Sequence, residues 1–103
     1  MIRHMVFMKL KPSASQADVD KLFGMLAGVK DQLDGLMEVH GGPYSSPEGI
    51  NRGFTHGFSM DFKDAASRDT YLPHPAHMKI AEAVGPLLDG SFEEAVVAVD
   101  YEF

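Results

Sequence analysis

The N-terminal stretch Ile2-Arg-His-Met-Val-Phe-Met-Lys-Leu10 decides the fold class of this chain. Its apolar residues alternate with a period of two, which predicts a β-strand. One face would carry Ile2, His4, Val6, Met8 and Leu10, and the other Met5 and Phe7 with Arg3 and Lys9. Because both faces are largely apolar, both must be covered. We expect helices on one side of the sheet and a second sheet on the other.

The residues that follow predict a helix and two further strands. The helix begins at a cap on Ser13 or Ser15 and runs to about Leu33, with apolar residues at three- and four-residue steps. A short strand over residues 36–40 ends at Gly41-Gly42-Pro43, and residues 43–52 are predicted to form an exposed loop. Residues 54–62 alternate again and predict the third strand.

The last third of the chain predicts two helical segments and a final strand. Asp64 can cap a short helix that ends at about Tyr71, and a second helix runs from Pro75 towards Leu88, with Pro86 kinking or ending it. Residues 92–103 predict the last strand. The order β-α-β-β-α-β is that of the ferredoxin-like α+β fold, an antiparallel sheet with helices on one face, in a single domain over residues 1–103.

The apolar second face of this sheet predicts a homodimer. Met5 and Phe7 lie opposite the helices, and burying them against a second copy would give a two-fold assembly of two packed sheets.

The composition of the chain argues against some classes of binding partner and some cellular compartments. The 103 residues carry a net charge of −6 with scattered basic residues, which argues against nucleic acid and anionic membranes as partners. No apolar run approaches the ~20 residues that cross a bilayer. Cysteine is absent, so disulfides are excluded. The N-terminus lacks the apolar centre of a signal peptide, and we expect a cytoplasmic protein.

The segment Tyr71-Leu-Pro-His-Pro-Ala-His77 concentrates the protonatable chemistry of the chain. Two prolines make it a rigid joint, and Pro75 suits the first helical position. His77 would then lie in the first turn, where the helix dipole disfavours a charged imidazole, so His77 is the candidate general base. Tyr71 would donate a hydrogen bond beside it. The alternative is a helix–helix corner whose side chains bond local backbone groups.

Further histidines can join this segment in one pocket. His4 and His56 face inwards from neighbouring strands, and His74 is held between the prolines. Between helix and sheet, the remaining pocket walls would be apolar, formed by Val6, Phe23, Phe54 and Phe58. Such a cavity is the usual form of a small-molecule site. Alternatively, His4 and His56 are buried histidines bonded to backbone carbonyls. His40 is expected on the surface.

The spacing His74-x-x-His77 also allows a metal site to be considered, because imidazole binds zinc, copper and nickel. Pro75 prevents a regular helix from presenting both rings together, and no neighbouring carboxylate or cysteine completes the ligand set. We predict that no metal and no cofactor is bound.

Four segments together resemble the Dabb family, the stress-responsive A/B barrel domains. They are Ile2 to Lys11, Gly53-Phe-Thr-His-Gly-Phe58, Tyr71 to His77, and Val97-Ala-Val-Asp-Tyr101. The resemblance implies a dimeric α+β barrel over essentially the whole chain. The family includes a plant polyketide cyclase that uses a His base and a Tyr donor without a cofactor. On this resemblance the base and donor are His77 and Tyr71, and the further pocket histidines are His4 and His56.

Two functions from different classes follow. One is cofactor-free acid–base chemistry on a small, apolar carbonyl compound, in the manner of a polyketide cyclase. The other is a non-catalytic stress-response or ligand-binding dimer whose same residues only orient a ligand. A cofactorless monooxygenase is a weaker possibility because the chain has no tryptophan.

Overall fold

A four-stranded antiparallel sheet forms one layer of the molecule in a computed structural model that describes residues 1–103. The strand order is β2-β3-β1-β4. The strands are β1 (Ile2–Met8), β2 (Leu36–Pro43), β3 (His56–Phe62) and β4 (Val96–Glu102). The N-terminal strand is central, since it pairs with both β3 and β4. This topology confirms the predicted ferredoxin-like α+β class.

Helices form the second layer. They are α1 (Gln16–Val29), α2 (Ala65–Tyr71), α3 (Pro75–Val84) and the single turn α4 (Phe92–Ala95), with 3₁₀ turns at Lys30–Gln32 and Gly85–Leu87. Ser15 caps α1, because its hydroxyl accepts the Asp18 amide while the Asp18 carboxylate accepts the Ser15 amide. Asp64 caps α2 in the same way as predicted, accepting from the amide of Ser67.

The core lies between the two layers. The largest fully buried side chains come from both layers and include Met8, Leu22, Leu26, Met60 and Phe62. Burying each such side chain contributes about 1.5–3 kcal/mol. This packing holds α1 and α3 against one face of the sheet and fixes the position of every inward-facing histidine.

Three predicted boundaries were wrong. β2 does not end at His40 but continues through Gly41 and Gly42 to Pro43, because the partner strand β3 supplies pairing residues for all three. The predicted last strand begins with a helical turn, Phe92–Ala95, because Ser91 and Glu94 form a capping box that favours helix there. The first helix ends at Val29 and tightens into a 3₁₀ turn instead of running to Leu33.

The sheet face opposite the helices, called here the open face, is apolar and uncovered in the single chain. Its exposed side chains include Phe7, Val97, Val99 and Tyr101, each 40–48% exposed. Met5 lies among them on the same face, opposite Val99. The predicted second apolar face is therefore present. No helix is long and apolar enough to cross a membrane.

Candidate functional site

The joint between α2 and α3 positions the residues of the predicted site. Tyr71 is the last residue of α2, and Pro75 is the first of α3. His74 is the N-cap of α3, and its Nδ1 accepts the Ala76 amide at 3.0 Å. Because Nδ1 accepts, the ring hydrogen of neutral His74 lies on Nε2. The His74 side chain therefore caps the N-terminus of α3, and its ring is half-buried.

Tyr71 lies at the centre of an aromatic group that we call the His–Tyr cluster, made of His4, Phe58, Tyr71 and His77. The ring of Tyr71 is 4.8 Å from that of His77 and 6.1 Å from that of His4, both in edge-on geometry. Phe58 reaches the ring of His4 at 6.4 Å. Edge-on contacts at these distances are favourable. The joint and two adjacent strands therefore converge on one tyrosine.

The hydroxyl of Tyr71 is available to an incoming group. The residue is 1% exposed, yet its hydroxyl makes no hydrogen bond within the chain. No buried polar atom of the protein lacks a partner, so the remaining accessible surface of Tyr71 includes its hydroxyl oxygen. Burial raises the pKa of Tyr71 to about 12. The phenol consequently stays protonated near neutral pH and is a hydrogen-bond donor.

His77 is half-buried, in the first turn of α3. Its Nδ1 lies 2.8 Å from the carbonyl oxygen of Leu72. A carbonyl oxygen only accepts, so Nδ1 carries the hydrogen, and in the neutral ring Nε2 holds a lone pair. The backbone of the joint therefore fixes the tautomer in which His77 can accept a proton through Nε2.

A second oriented histidine reaches the cluster from β1. His4 is buried, and its Nδ1 lies 2.6 Å from Oδ1 of Asp100 on β4. The other carboxylate oxygen of Asp100 accepts from Nη1 of Arg68 at 2.9 Å. Burial would raise the pKa of Asp100, but the hydrogen bonds from His4 and Arg68 outweigh it and hold that pKa below its ordinary value. The ionised carboxylate only accepts, so Nε2 of neutral His4 is also left as an acceptor.

His56 does not join the His–Tyr cluster. His4 pairs with Met60 whereas His56 pairs with Met8, so the two histidines are four residues apart along the sheet. At about 3.3 Å per residue this is about 13 Å. Instead, His56 lies beside Phe23 of α1, with ring centroids 6.3 Å apart. Its Nδ1 is 2.9 Å from the hydroxyl of Thr55, and burial lowers its pKa.

The apolar residues predicted for the pocket divide between these two places. Val6 is buried directly opposite Phe58, between His4 and Met8 on the helix-facing side of β1. Phe54 lies before β3, where the ammonium of Lys9 is 4.9 Å from its ring. His40 is exposed, as expected. No group of three or more His, Asp or Glu side chains converges as a set of metal ligands.

A cavity lies on the open face, whereas the pocket was predicted between helices and sheet. It measures about 560 Å³ and includes His56, Phe54 and Phe58 in its lining, but not His4, Tyr71 or His77. On the helix-facing side of the same strands, Val6, Phe58 and Met60 are packed in the core with 0–8% exposure.

The sequence interpretation did not include Asp100 and Arg68. A usable signal was present, since Asp100 alternates with Val96 and Ala98 on the face of β4 that turns towards the helices. An acidic residue on such a face needs a partner. Only the register of β1 against β4 shows that the partner is His4.

Comparison with known proteins agrees with this architecture. Olivetolic acid cyclase from Cannabis sativa is 21% identical over 100 residues, covering 97% of this chain and 94% of that protein. A dimeric ferredoxin-like protein from Jannaschia sp. superposes with a TM-score of 0.88 at 24% identity, covering 99% and 98% of the two chains. A hydroxynitrile lyase from Passiflora edulis gives a TM-score of 0.82 at 22% identity, covering 97% and 90%.

The family assignment rests on the whole domain. The profile of the Stress responsive A/B Barrel Domain family, Dabb, matches residues 2–103, from the first residue of β1 to the end of the chain. That span contains the His–Tyr cluster, the joint and all four strands. The chain belongs to the Dabb family.

Proposed function

We propose that this protein is a homodimer whose His–Tyr cluster performs cofactor-free acid–base chemistry on a small carbonyl compound. In this reaction Nε2 of His77 removes an acidic proton from the carbon α to a carbonyl, and Tyr71 donates a hydrogen bond to the developing enolate oxygen. The protonated imidazole then returns the proton to the product. The enzyme would be a lyase or cyclase of the polyketide cyclase type.

One observation carries the proposal. An oriented imidazole lies edge-on against a phenol at 4.8 Å, with its Nδ1 tethered to Leu72. The tether leaves a lone pair on Nε2, and the Tyr71 hydroxyl has no partner in the chain. An acceptor and a free donor therefore stand side by side. His4 adds a second acceptor, oriented by Asp100, on the other side of the same tyrosine.

The protonation state of Tyr71 and the apolar surroundings of the cluster suit this chemistry. Tyr71, with a pKa of about 12, does not compete with the substrate for the base, because the phenol keeps its proton at neutral pH. The surroundings of the cluster are apolar, with Phe58 and Phe62 against His4 and Tyr71. An apolar environment strengthens a hydrogen bond to a developing enolate. It also favours a substrate whose remaining surface is apolar.

The name of olivetolic acid cyclase supports a cyclase, and that of the hydroxynitrile lyase supports a lyase acting on another small molecule. The dimeric description of the Jannaschia protein and the uncovered open face support the homodimer. A two-fold interface would bury Phe7, Val97 and Val99, which are now exposed.

The alternative is a non-catalytic dimer that binds or carries a small molecule. One observation favours it: the cavity of about 560 Å³ on the open face is not lined by Tyr71 or His77. In that case the cluster stabilises the joint between α2 and α3, and the ligand is only held.

Substitution at the two central residues tests the proposal. Poly-β-keto and simpler β-keto compounds are incubated with the parent protein, Tyr71→Phe and His77→Ala. Loss of the enolate donor should lower kcat by about 10²-fold, and loss of the base by about 10²–10⁴-fold. Calorimetry with the same compounds measures affinity in parallel.

Tyr44→Phe is the matched control, because it also removes one phenol oxygen, which accepts only the Gly49 amide on an exposed loop. Its turnover should equal that of the parent. If all variants bind the compounds with the parent's affinity and no turnover appears, the protein is the non-catalytic dimer.

A further inference from the structure

The first turn of α3 contains one amide that only a side chain satisfies. Pro75, the first helical residue, has no N–H to satisfy. The amides of His77 and Met78 both donate to the carbonyl oxygen of His74, at 3.0 and 3.3 Å. The Ala76 amide donates instead to Nδ1 of the His74 ring, at 3.0 Å. Because Ala76 is only 6% exposed, water has little access to this amide, and the start of the helix depends on the imidazole.

The two histidines of the joint use Nδ1 in opposite senses. His77 donates through Nδ1 to the Leu72 carbonyl at 2.8 Å, so it takes up a proton at Nε2 and keeps this tether. His74 accepts through Nδ1, so its protonation places a hydrogen on the accepting atom and removes the cap. Two N–H groups would then face each other, and the new charge would lie at the positive end of the helix dipole. Only neutral His74 closes the first turn of α3.

The charged side chains of the two joined helices do not compensate a charge on His74. On α2, Arg68 pairs with Asp69 and with a carboxylate of the sheet. On α3, Lys79 and Glu82 are exposed and take part in none of the ion pairs. His74 itself forms no ion pair. Its protonation would therefore add an unpaired charge to a half-buried ring.

The other elements around the joint bring no carboxylate to His74 either. Asp18 and Lys21 of α1 lie against Ala83, near the opposite end of α3. On the sheet, the titratable group that reaches the joint is His4, whose Nδ1 is bonded to Asp100. The cap is thus governed by the proton on its own ring.

We propose that His74 is the positioning residue of the His–Tyr cluster: as a neutral ring it caps α3 and holds His77 against Tyr71, and its protonation releases both. This inference rests on the proposed function for its kinetic readout and adds a proton-dependent control of the same site. The capped amide immediately precedes His77, whose ring lies 4.8 Å from that of Tyr71. Two histidines of the joint must then be neutral for turnover, His77 to accept the proton and His74 to keep His77 in place.

The pH profile of His74→Asn tests this inference. An asparagine oxygen accepts the Ala76 amide at any pH, so the cap no longer depends on a proton. Histidines change charge between about pH 5 and 8, and kcat/KM of the parent for β-keto compounds should fall in acid. On logarithmic axes His74→Asn should match the parent near pH 8 but fall with a slope smaller by about one. Near pH 5 its kcat should exceed that of the parent at least about fivefold, with KM unchanged.

Two further variants complete the comparison. His74→Ala has no cap at any pH, and its kcat should be at least about tenfold lower than that of the parent near pH 8, because the base is misplaced. His40→Asn is the matched control, since it makes the same substitution at an exposed histidine whose charged neighbour is Glu38 at 3.9 Å. It should keep the slope of the parent. Circular dichroism verifies the fold of each variant across the pH range.

Hydrogen exchange of the Ala76 amide, measured by nuclear magnetic resonance, gives a readout that needs no turnover. In the parent its protection factor should fall at least about tenfold between about pH 8 and 5, together with the Overhauser effects between the rings of Tyr71 and His77. In His74→Asn both should persist. A His74→Asn protein that keeps the slope of the parent overturns the inference, and so does a parent whose Ala76 protection is independent of pH. If no compound is turned over, the proposed chemistry fails, and the exchange of Ala76 alone decides the role of His74.

Discussion

At the scale of single residues, the hydroxyl of Tyr71 is the most informative group in the molecule. Its ring is held by His4, Phe62 and His77, so its position is fixed by packing and not by a hydrogen bond of its own. The hydroxyl makes no hydrogen bond within the chain and keeps some accessible surface, so its proton is free to be donated. A ligand oxygen at that position would accept this hydrogen bond, which is the physical reason for assigning Tyr71 the donor role.

The ionisation of Tyr71 can be measured directly. Burial disfavours the charged phenolate, so its pKa is raised to about 12. Subtracting the tyrosinate titration of Tyr71→Phe from that of the parent isolates this residue from the other tyrosines. We expect the difference curve to have its midpoint near 12, with circular dichroism verifying that the fold persists. A midpoint at the ordinary value of about 10 would show that the phenolate oxygen of Tyr71 is solvated by water and that burial does not raise its pKa.

At the scale of elements, the carboxylate of Asp100 forms hydrogen bonds that connect three segments of the chain. Asp100 of β4 accepts from His4 of β1 and from Arg68 of α2, so the edge strand, the central strand and the short helix meet at its two oxygens. Hydrogen bonds to a partly buried charge are stronger than neutral ones. Asp100 therefore both orients His4 and joins α2 to the sheet.

Replacing Asp100 with asparagine should weaken this junction in a pH-dependent way. The folded pKa of Asp100 lies below the unfolded value, so its stabilisation is complete above about pH 4 and disappears as the pH falls below that. At neutral pH Asp100→Asn should lower the free energy of unfolding by about 1–3 kcal/mol. Urea unfolding at neutral and acidic pH should show the difference from the parent shrinking in acid.

Asp20→Asn is the control for this experiment, because Asp20 is exposed on α1 and bonds only Gln16. If Asp100→Asn lowers the free energy of unfolding by the same amount down to about pH 2, the charge of the carboxylate contributes nothing to stability and only its shape matters.

Elements could be predicted from the sequence where a local pattern determines them. The alternation in β1, the Asp64 cap and the proline start of α3 depend on neighbours within a few residues, and they were predicted correctly. The cap of α1 was predicted at Ser13 or Ser15, and it is Ser15. The end of β2 was not predicted correctly, because Gly41 and Gly42 favour a turn locally and are held in the strand only by pairing with β3.

It was harder to predict which side chains of the candidate site meet in space than to predict the helices and strands that carry them. Alternation correctly placed His4 and His56 on the helix-facing side of neighbouring strands, but it does not give the register. The register separates them by four residues and pairs His4 with Asp100, a contact 96 residues apart in the sequence. Side-chain pairs of that range depend on the assembled sheet, which no local pattern encodes.

At the scale of the whole molecule, the open face makes the single chain incomplete. Four exposed apolar side chains, Phe7, Val97, Val99 and Tyr101, cross one surface of a chain of 103 residues. A contiguous apolar patch of this kind marks an interaction surface. If a second copy covers it, folding stability includes the association free energy and must depend on protein concentration.

That dependence separates a dimer from a monomer with an apolar surface. The thermal midpoint of the parent should rise by several degrees over about a hundredfold increase in concentration, because binding to the folded state stabilises it by mass action. Val99→Lys places a charge among the exposed apolar side chains of the open face, where Val99 is 48% exposed in the single chain, so the monomer tolerates it but the interface does not. Its midpoint should therefore be independent of concentration. Ile50→Lys, at a loop position that is 61% exposed, should keep the parent's dependence. A parent midpoint that does not move with concentration would assign the open face to some partner other than a second copy.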